Sequence, residues 1–376
     1  MKILVTGAAG FLGRAVVESL CAHGERDVRC FVRPNSSLSA LEETADRYPD
    51  ARIEFVVGNL ASYGDACRAV EGVDTIYHVA AGMRGLPATI FTNSVVASKC
   101  LLNAMQDKKR RVVLVSSIGV YGTSFLSTRV LIDENTNVDQ HPEKRNIYFH
   151  AKIWQERLFW ERAERGEIDL TVVRPGVLYG AGNPNRGFPS RIGISIGRTL
   201  LVFGGGHRLP LSHVLNCAEA VVAAGRSAEA SGQTYNAIDD QLPTSNQYLR
   251  QHKREVRKVR TVYVPYLAAM LLSRVVEKLH KRTRGQIPAM MTPYETSAMW
   301  KGHRFDNQKL KKLGWEPVVS TEDGLLETFA YLRAGMKKSA AADRARSDRT
   351  NRFSEMESGT RGFRLMAQDP KAATEQ

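Results

Sequence analysis

The sequence predicts an α/β fold, a doubly wound parallel sheet with a smaller C-terminal substrate-binding part. Two observations predict it. The first is the opening stretch MKILVTGAAGFLG, an apolar run closed by Gly7, Gly10 and Gly13 at three-residue spacing. The second is the alternation of short apolar runs with helical stretches as far as Gly176. Such alternation implies parallel strands joined by helices, with ligands at the carboxyl ends of the strands.

Residues 2–6, with Ile3, Leu4 and Val5 at the centre, read as a buried parallel strand. Gly7 permits a tight turn, Gly10 a close approach of backbone to a diphosphate, and Gly13 the packing of helix on strand. Residues 14–22 read as the helix whose free N–H groups and dipole favour an anion. The glycine spacing departs from the G-x-G-x-x-G fingerprint, yet the strand–turn–helix context of a dinucleotide site is met. The loop residues Ala9, Phe11 and Leu12 are expected at the cofactor with the glycines. The second strand, 28–32, ends at Arg33 with no carboxylate to hold a ribose diol. Arg33, with Ser36 and Ser37 close by, suits a 2′-phosphate, so NAD(P) is expected with NADP(H) favoured.

The third strand, 53–57, runs into Gly58-Asn59-Leu60, and 65–70 reads as helix. Strand 75–79 ends in HVAAG, where the small Ala80 and Ala81 leave room for the flat face of a ligand. A long helix is expected over 89–105, then a strand over 112–115 ending at Ser116-Ser117. Helix 147–163 and strand 170–173, which ends at Arg174-Pro175-Gly176, complete the alternation. Beyond it the sequence predicts a helix over 217–228, a strand over 234–238 and strand character over 255–264. Pro265 opens an amphipathic helix to about Arg282, with Leu267, Leu271, Val275 and Leu279 along one side. Closing helices are expected over 305–313 and 322–332. The division is thus a cofactor-binding domain over 1–176, a substrate-binding part over 177–334 with some return to the first, and a tail over 335–376. The tail's alanine, serine and mixed charge predict disorder.

A net charge of +14 invites a nucleic-acid or membrane-surface reading. No nucleic-acid-binding module pattern and no zinc spacing is present, so nucleic acid is not expected as a partner and a metal site is not expected. The five cysteines are scattered without C-x-x-C, which suits free thiols in a reducing compartment. No apolar run reaches membrane-spanning length, and the chain enters a strand at once. A cytoplasmic homodimer acting on a small molecule is expected. Basic residues cluster around the helix 265–282, namely Lys253, Arg254, Arg257, Lys258 and Arg260 before it, then Lys278, Lys281, Arg282 and Arg284. They leave open a diphosphate substrate, an anionic membrane surface, or a solvated face.

The chemistry centres on Tyr148-Phe149-His150-Ala151-Lys152. Tyr148 and Lys152 are four apart on a predicted helix and so share a face. A lysine ammonium nearby favours the phenolate and lowers the tyrosine pKa. Tyr148 could then take a proton from an alcohol or return it to a carbonyl. Ser117, at a strand end, could hydrogen-bond the same oxygen.

With TGAAGFLG, HVAAG, SSIGVYG, YFHAK, RPGVLYG and LGWEPVVSTEDGL assembled, the chain resembles the extended short-chain dehydrogenase/reductase superfamily from Met1 to about Leu332. The resemblance implies a Rossmann fold and an epimerase/dehydratase-family enzyme. It implies Tyr148 as acid/base, Lys152 on the nicotinamide ribose, Ser117 orienting substrate, and Asn93 supporting the lysine. Ile118 and Gly119 stand where sugar-nucleotide 4,6-dehydratases carry an acidic pair, which argues against that elimination. Asn59 replaces the family's adenine-binding aspartate, and Asn216 stands where epimerases often have one. Arg208 and Arg304 are the candidates for gripping a nucleotide diphosphate. The expected substrate is a nucleotide-activated or phosphorylated sugar. The alternatives are an apolar substrate, as in the similar 3β-hydroxysteroid dehydrogenase and dihydroflavonol reductase branch, and a dinucleotide sensor without catalysis.

Overall fold

The computed structural model describes residues 1–83, 85–183, 188–197, 199–283 and 291–337. Arg284 and the tail from residue 338 lie outside the described residues. The first half reads β1 (Ile3–Thr6), α1 (Phe11–Ala22), β2 (Asp27–Val32), α2 (Ser39–Arg47), β3 (Arg52–Val57), α3 (Tyr63–Val70) and β4 (Thr75–His78). It continues with α4 (Pro87–Phe91), a π-helical turn (Thr92–Val96), α5 (Ala97–Ala104), β5 (Arg110–Val115), β6 (Leu131–Ile132), α6 (Ile147–Glu164) and β7 (Ile168–Pro175). The C-terminal part holds β8 (Val177–Tyr179), β9 (Gly193–Ile196), β10 (Thr199–Phe203), β11 (Leu211–His213), α7 (Val214–Arg226) and β12 (Thr234–Ala237). Then come α8 (Ser245–Glu255), β13 (Arg260–Val264), α9 (Tyr266–Arg282), α10 (Pro293–Trp300), β14 (Arg304–Phe305), α11 (Gln308–Lys312) and α12 (321–337).

Seven parallel strands form the central sheet in the order β12-β7-β5-β4-β1-β2-β3. The order reverses between β1 and β4, and in such a sheet the ligand crevice opens at that point. Alternate side chains of each strand enter two cores. Ile3, Val5, Tyr77, Val113 and Val115 join α1 and α7 on one face, while Leu4, Ile76, Val112 and Leu114 join Leu101 of α5 and Phe159 of α6 on the other. This is the period of two that parallel, doubly covered strands require.

Several sequence expectations are corrected. The first helix begins at Phe11 rather than Arg14, directly on the glycine turn. The long helix expected over 89–105 is broken by the π-helical turn. Residues 255–259 are not strand: Glu255 ends α8, a helix that opens on a Thr244–Gln247 capping box. The expected helix over 305–313 shrinks to α11, because Arg304 and Phe305 pair with Leu131 and Ile132. β12 returns to the central sheet beside β7, so a segment of the C-terminal part completes it.

Candidate active site

The glycine turn closes against the end of β4. Gly7 has φ +69°, which glycine adopts without strain, and a Cβ placed on it would lie 2.9 Å from the Ala80 backbone. A Cβ on Gly13 would overlap the Gly7 carbonyl. Gly10 precedes α1 as its cap, with an amide that donates to the Gly7 carbonyl at 2.9 Å and no capping side chain. The first-turn N–H groups of α1, from Phe11, Leu12 and Gly13, thus lack a side-chain partner of the usual kind. Ala9, Phe11 and Ala81 are partly exposed around this crevice, and Leu12 is buried beneath it.

The remaining cofactor candidates lie along the same sheet edge. Arg33 is exposed just past β2, its amide donating to Ser36 Oγ at 3.2 Å. Asn59 is exposed past β3, where its side-chain oxygen accepts from the Ala61 amide at 3.0 Å, and Leu60 is buried. Pro175 is buried at the end of β7. The cradle is therefore one that a Cβ would fill, lined by small residues at the switch point, and it fits a dinucleotide.

Helix α6 carries the chemistry to this edge. Asn146 caps it, accepting from the Tyr148 and Phe149 amides at 3.1 and 3.2 Å. Before the cap, buried Arg145 bonds Asp139 at 2.9 Å and Glu295 of α10 at 2.7 Å. Glu295 also accepts from Asn146 Nδ2 at 2.5 Å. The start of α6 is thereby fixed by groups from both parts of the chain. A Cβ on Gly119 would overlap the Phe149 ring, so the loop after Ser117 lies on the first turn of α6.

Lys152 is buried, and its Nζ donates to the Val115 carbonyl at 2.7 Å and to Gln155 Oε1 at 2.9 Å. That anchor lies two residues before Ser117, so the structure brings the ends of β5 and α6 together. Ser117 is partly exposed and its Oγ accepts from the Gly119 amide at 3.1 Å. Burial pulls the Lys152 ammonium down to about 7, against the opposing pull of Glu156. Burial pushes the Tyr148 phenol up to about 12. The expected lowering of the tyrosine by its lysine is thus not what the free site shows: the Lys152 ammonium is turned onto the β5 carbonyl and Gln155, and desolvation governs the phenol.

Sequence reasoning missed the support behind these residues. Gln155 Nε2 donates to Ser98 Oγ at 2.8 Å and lies 3.1 Å from His78 Nε2. His78 Nδ1 meets Thr6 Oγ1 at 2.8 Å, so the network runs from the glycine turn to the lysine. Burial, then Lys152, lowers His78 to about 3. Ser116 donates to Glu156 at 2.6 Å, and Glu156 pairs with buried Arg174. The spacings i+3 and i+4 from Lys152 put Gln155 and Glu156 on its face, a signal available in the sequence. Asn93 sits half-buried in the π-helical turn and supplies neither of the two bonds that hold Lys152. Asn216 is fully buried in a structural hydrogen-bond cluster with Asp239 and Val319. Arg208 and Arg304 are exposed and are not brought to α6 by any contact of theirs.

Residues 3–237 match the NAD dependent epimerase/dehydratase family. The chain belongs to that family. The family's description names NAD as its cofactor and epimerisation and dehydration as its reactions. Cinnamoyl-CoA reductase 2 of Arabidopsis thaliana is 30% identical over 187 residues, covering 47% of this chain and 54% of the relative. The chain thus spans about half the length of the first curated relatives it matches. N-acetyl-alpha-D-glucosaminyl-diphospho-ditrans,octacis-undecaprenol 4-epimerase of Escherichia coli O157:H7 is 22% identical, covering 90% of this chain and 97% of the relative. The solved UDP-glucuronic acid 4-epimerase of Bacillus cereus, with UDP-glucuronic acid and NAD, shares the fold with a TM-score of 0.66 at 19% identity. It covers 89% of this chain and 99% of that one. No helix among the described residues is long and apolar enough to cross a membrane.

Proposed function

We propose that the chain interconverts a secondary alcohol and a ketone on a nucleotide-activated or phosphorylated sugar, with Tyr148 as the acid/base. The observation that carries this reading is the Lys152–Val115 bond, which holds the Tyr148 turn of α6 against the strand end bearing Ser117. NAD(P) bound in the crevice supplies the acceptor or donor of the hydride. Gly7, Ala9, Gly10, Phe11, Leu12 and Gly13 would hold its diphosphate, Asn59 and Leu60 its adenine, and Arg33 a 2′-phosphate. Ala80, Ala81 and Pro175 would wall the nicotinamide end, and Lys152 would meet its ribose.

The protein's own part is proton handling. A phenol with a pKa near 12 is protonated at neutral pH, so Tyr148 stands ready to give its proton to a carbonyl oxygen. Taking a proton from an alcohol needs the phenolate, which a charged Lys152 would favour. Ser117 would hydrogen-bond the substrate oxygen and hold it at the tyrosine.

Tyr148→Phe keeps the ring and removes the transferable proton. Turnover is expected to fall by about 10²–10⁴ while cofactor affinity persists; wild-type turnover would overturn the assignment. A second reading, net reduction of an apolar substrate, is favoured by the higher local identity to the cinnamoyl-CoA reductase. Stoichiometric NADPH consumption with candidate substrates would select it, whereas epimerisation leaves the cofactor absorbance unchanged.

A further inference from the structure

Helix α9 is packed inside out. The side chains it buries are small, Ala269 and Ser273, both 0% exposed. Ala269 lies against Phe203, Met299 and Trp300. Four large apolar side chains along one face point away from the body: Leu267 is 76% exposed, Leu271 62%, Val275 54% and Leu279 45%. At i, i+4, i+8 and i+12 they form one stripe, roughly 18 Å long at the rise of an α-helix. A stripe of this size on one exposed helix face is not the scatter of single apolar residues that surfaces carry.

Charge identifies what covers it. Arg274, Lys278, Lys281 and Arg282 are exposed on or beside the stripe. The helix has one acid, Glu277, which pairs with Lys281 at 3.0 Å. The preceding strand, β13, adds exposed Arg260, Val262 and Tyr263. An apolar stripe set among cations, with no free carboxylate, is the pattern of a helix that lies in a membrane interface. A second copy docked on the same face would oppose cation to cation, and α9 lacks the acids to relieve it.

We propose that α9 docks the protein on an anionic lipid bilayer, with Leu267, Leu271, Val275 and Leu279 entering the headgroup–acyl boundary and the cations meeting lipid phosphates. Phe149, the neighbour of Tyr148, packs on the cluster beneath α9, so the docked face lies one packed layer from the proposed site.

The test is sedimentation of the full chain with phosphatidylcholine vesicles, with and without about 30 mol % phosphatidylglycerol. The wild type is expected to bind the anionic vesicles and to bind neutral ones far more weakly. Lys278→Gln with Arg282→Gln should lose roughly fivefold per cation on anionic vesicles. Leu271→Gln with Val275→Gln should lose more than roughly tenfold with an unchanged melting temperature, since both residues are exposed. The second pair is decisive, because a chain of net charge +14 can adsorb by charge alone. Binding that ignores the Leu271/Val275 variant overturns the proposal, as does no binding by the folded wild type. It is overturned too if that variant instead turns a dimer into a monomer in ultracentrifugation, or if a chain ending at Lys337 no longer binds vesicles.

Discussion

In the sheet, β1 sends Ile3 and Val5 into one core and Leu4 into the other. In the C-terminal part, α9 sends Ala269 and Ser273 inward and its leucines outward. The first region is held by apolar burial that follows the strand period. The second adds polar contacts between distant segments to apolar clusters of its own. Asn216 bonds Asp239 at 2.9 Å and the Val319 carbonyl at 2.8 Å. Asp239 also accepts from the Tyr179 hydroxyl at 2.8 Å and the His213 amide at 3.0 Å. The difference teaches that apolar periodicity locates a core only where packing is what selects the residues. Where a surface has another use, the same periodicity marks what stays outside.

Glu156 offers the strongest way to break this contrast, since the sheet half contains buried ion pairs of its own, Glu156–Arg174 and Arg145–Asp139. Glu156→Ala leaves the Arg174 cation buried without its carboxylate and Ser116 without its acceptor. The expected loss is about 3–5 kcal/mol, read from denaturant unfolding. A loss below ~1 kcal/mol would mean that apolar packing alone carries this half.

Acid sharpens the contrast by a smaller amount per group. Burial lowers His213, His252 and His303 in the C-terminal part to about 4, and His78 in the sheet to about 3. Each has a folded pKa below its unfolded value near 6.5. The stability they contribute is therefore complete above that value and is lost as the pH falls from 6.5 toward 4, at about 1.4 kcal/mol per pH unit for each group. Hydrogen exchange at pH 5 is expected to show C-terminal amides losing protection before those of the central sheet. Simultaneous loss would show that the two regions unfold as one unit.

Arg33 gives the smallest effect. We propose that it pairs with a 2′-phosphate, a charge-assisted contact whose loss in Arg33→Ala should weaken NADPH roughly tenfold and NADH little. Titration of both cofactors checks this, and equal affinities in the wild type would leave NAD and NADP without preference.

The sheet, the glycine turn and the Tyr148–Lys152 pair were legible because each is local: a short apolar run, a three-residue spacing, one turn of helix. The supports of the site were not. Arg174 meets Glu156 across 18 residues and Arg145 meets Glu295 across 150, and no local pattern announces such partners. α2 went unseen because it buries only Leu41 and Thr44. α8 was legible and overlooked, since Ser245, Tyr248, Leu249 and His252 have helical spacing behind a capping box. For α9 the stripe was legible but its direction was not, because periodicity defines a face and only the neighbouring elements decide where that face looks.

The π-helical turn at Thr92–Val96 makes the chain there sensitive to length more than to composition. Ser94 Oγ accepts from the Gly82 amide at 2.9 Å and Ser98 Oγ meets His78 at 2.9 Å. Two serines four apart, on either side of the wider turn, thus both reach the end of β4. Removal of one residue between them would restore an ordinary helix and leave the two serines three apart, about 60° from each other around its axis. The helix would survive, and one of the two serines would be carried off its partner. Drift among descendants of this chain can therefore exchange the exposed Thr92 and Val96 more freely than the buried Ser94 and Val95, whereas a single-codon deletion would alter the wall of the cofactor crevice in one step.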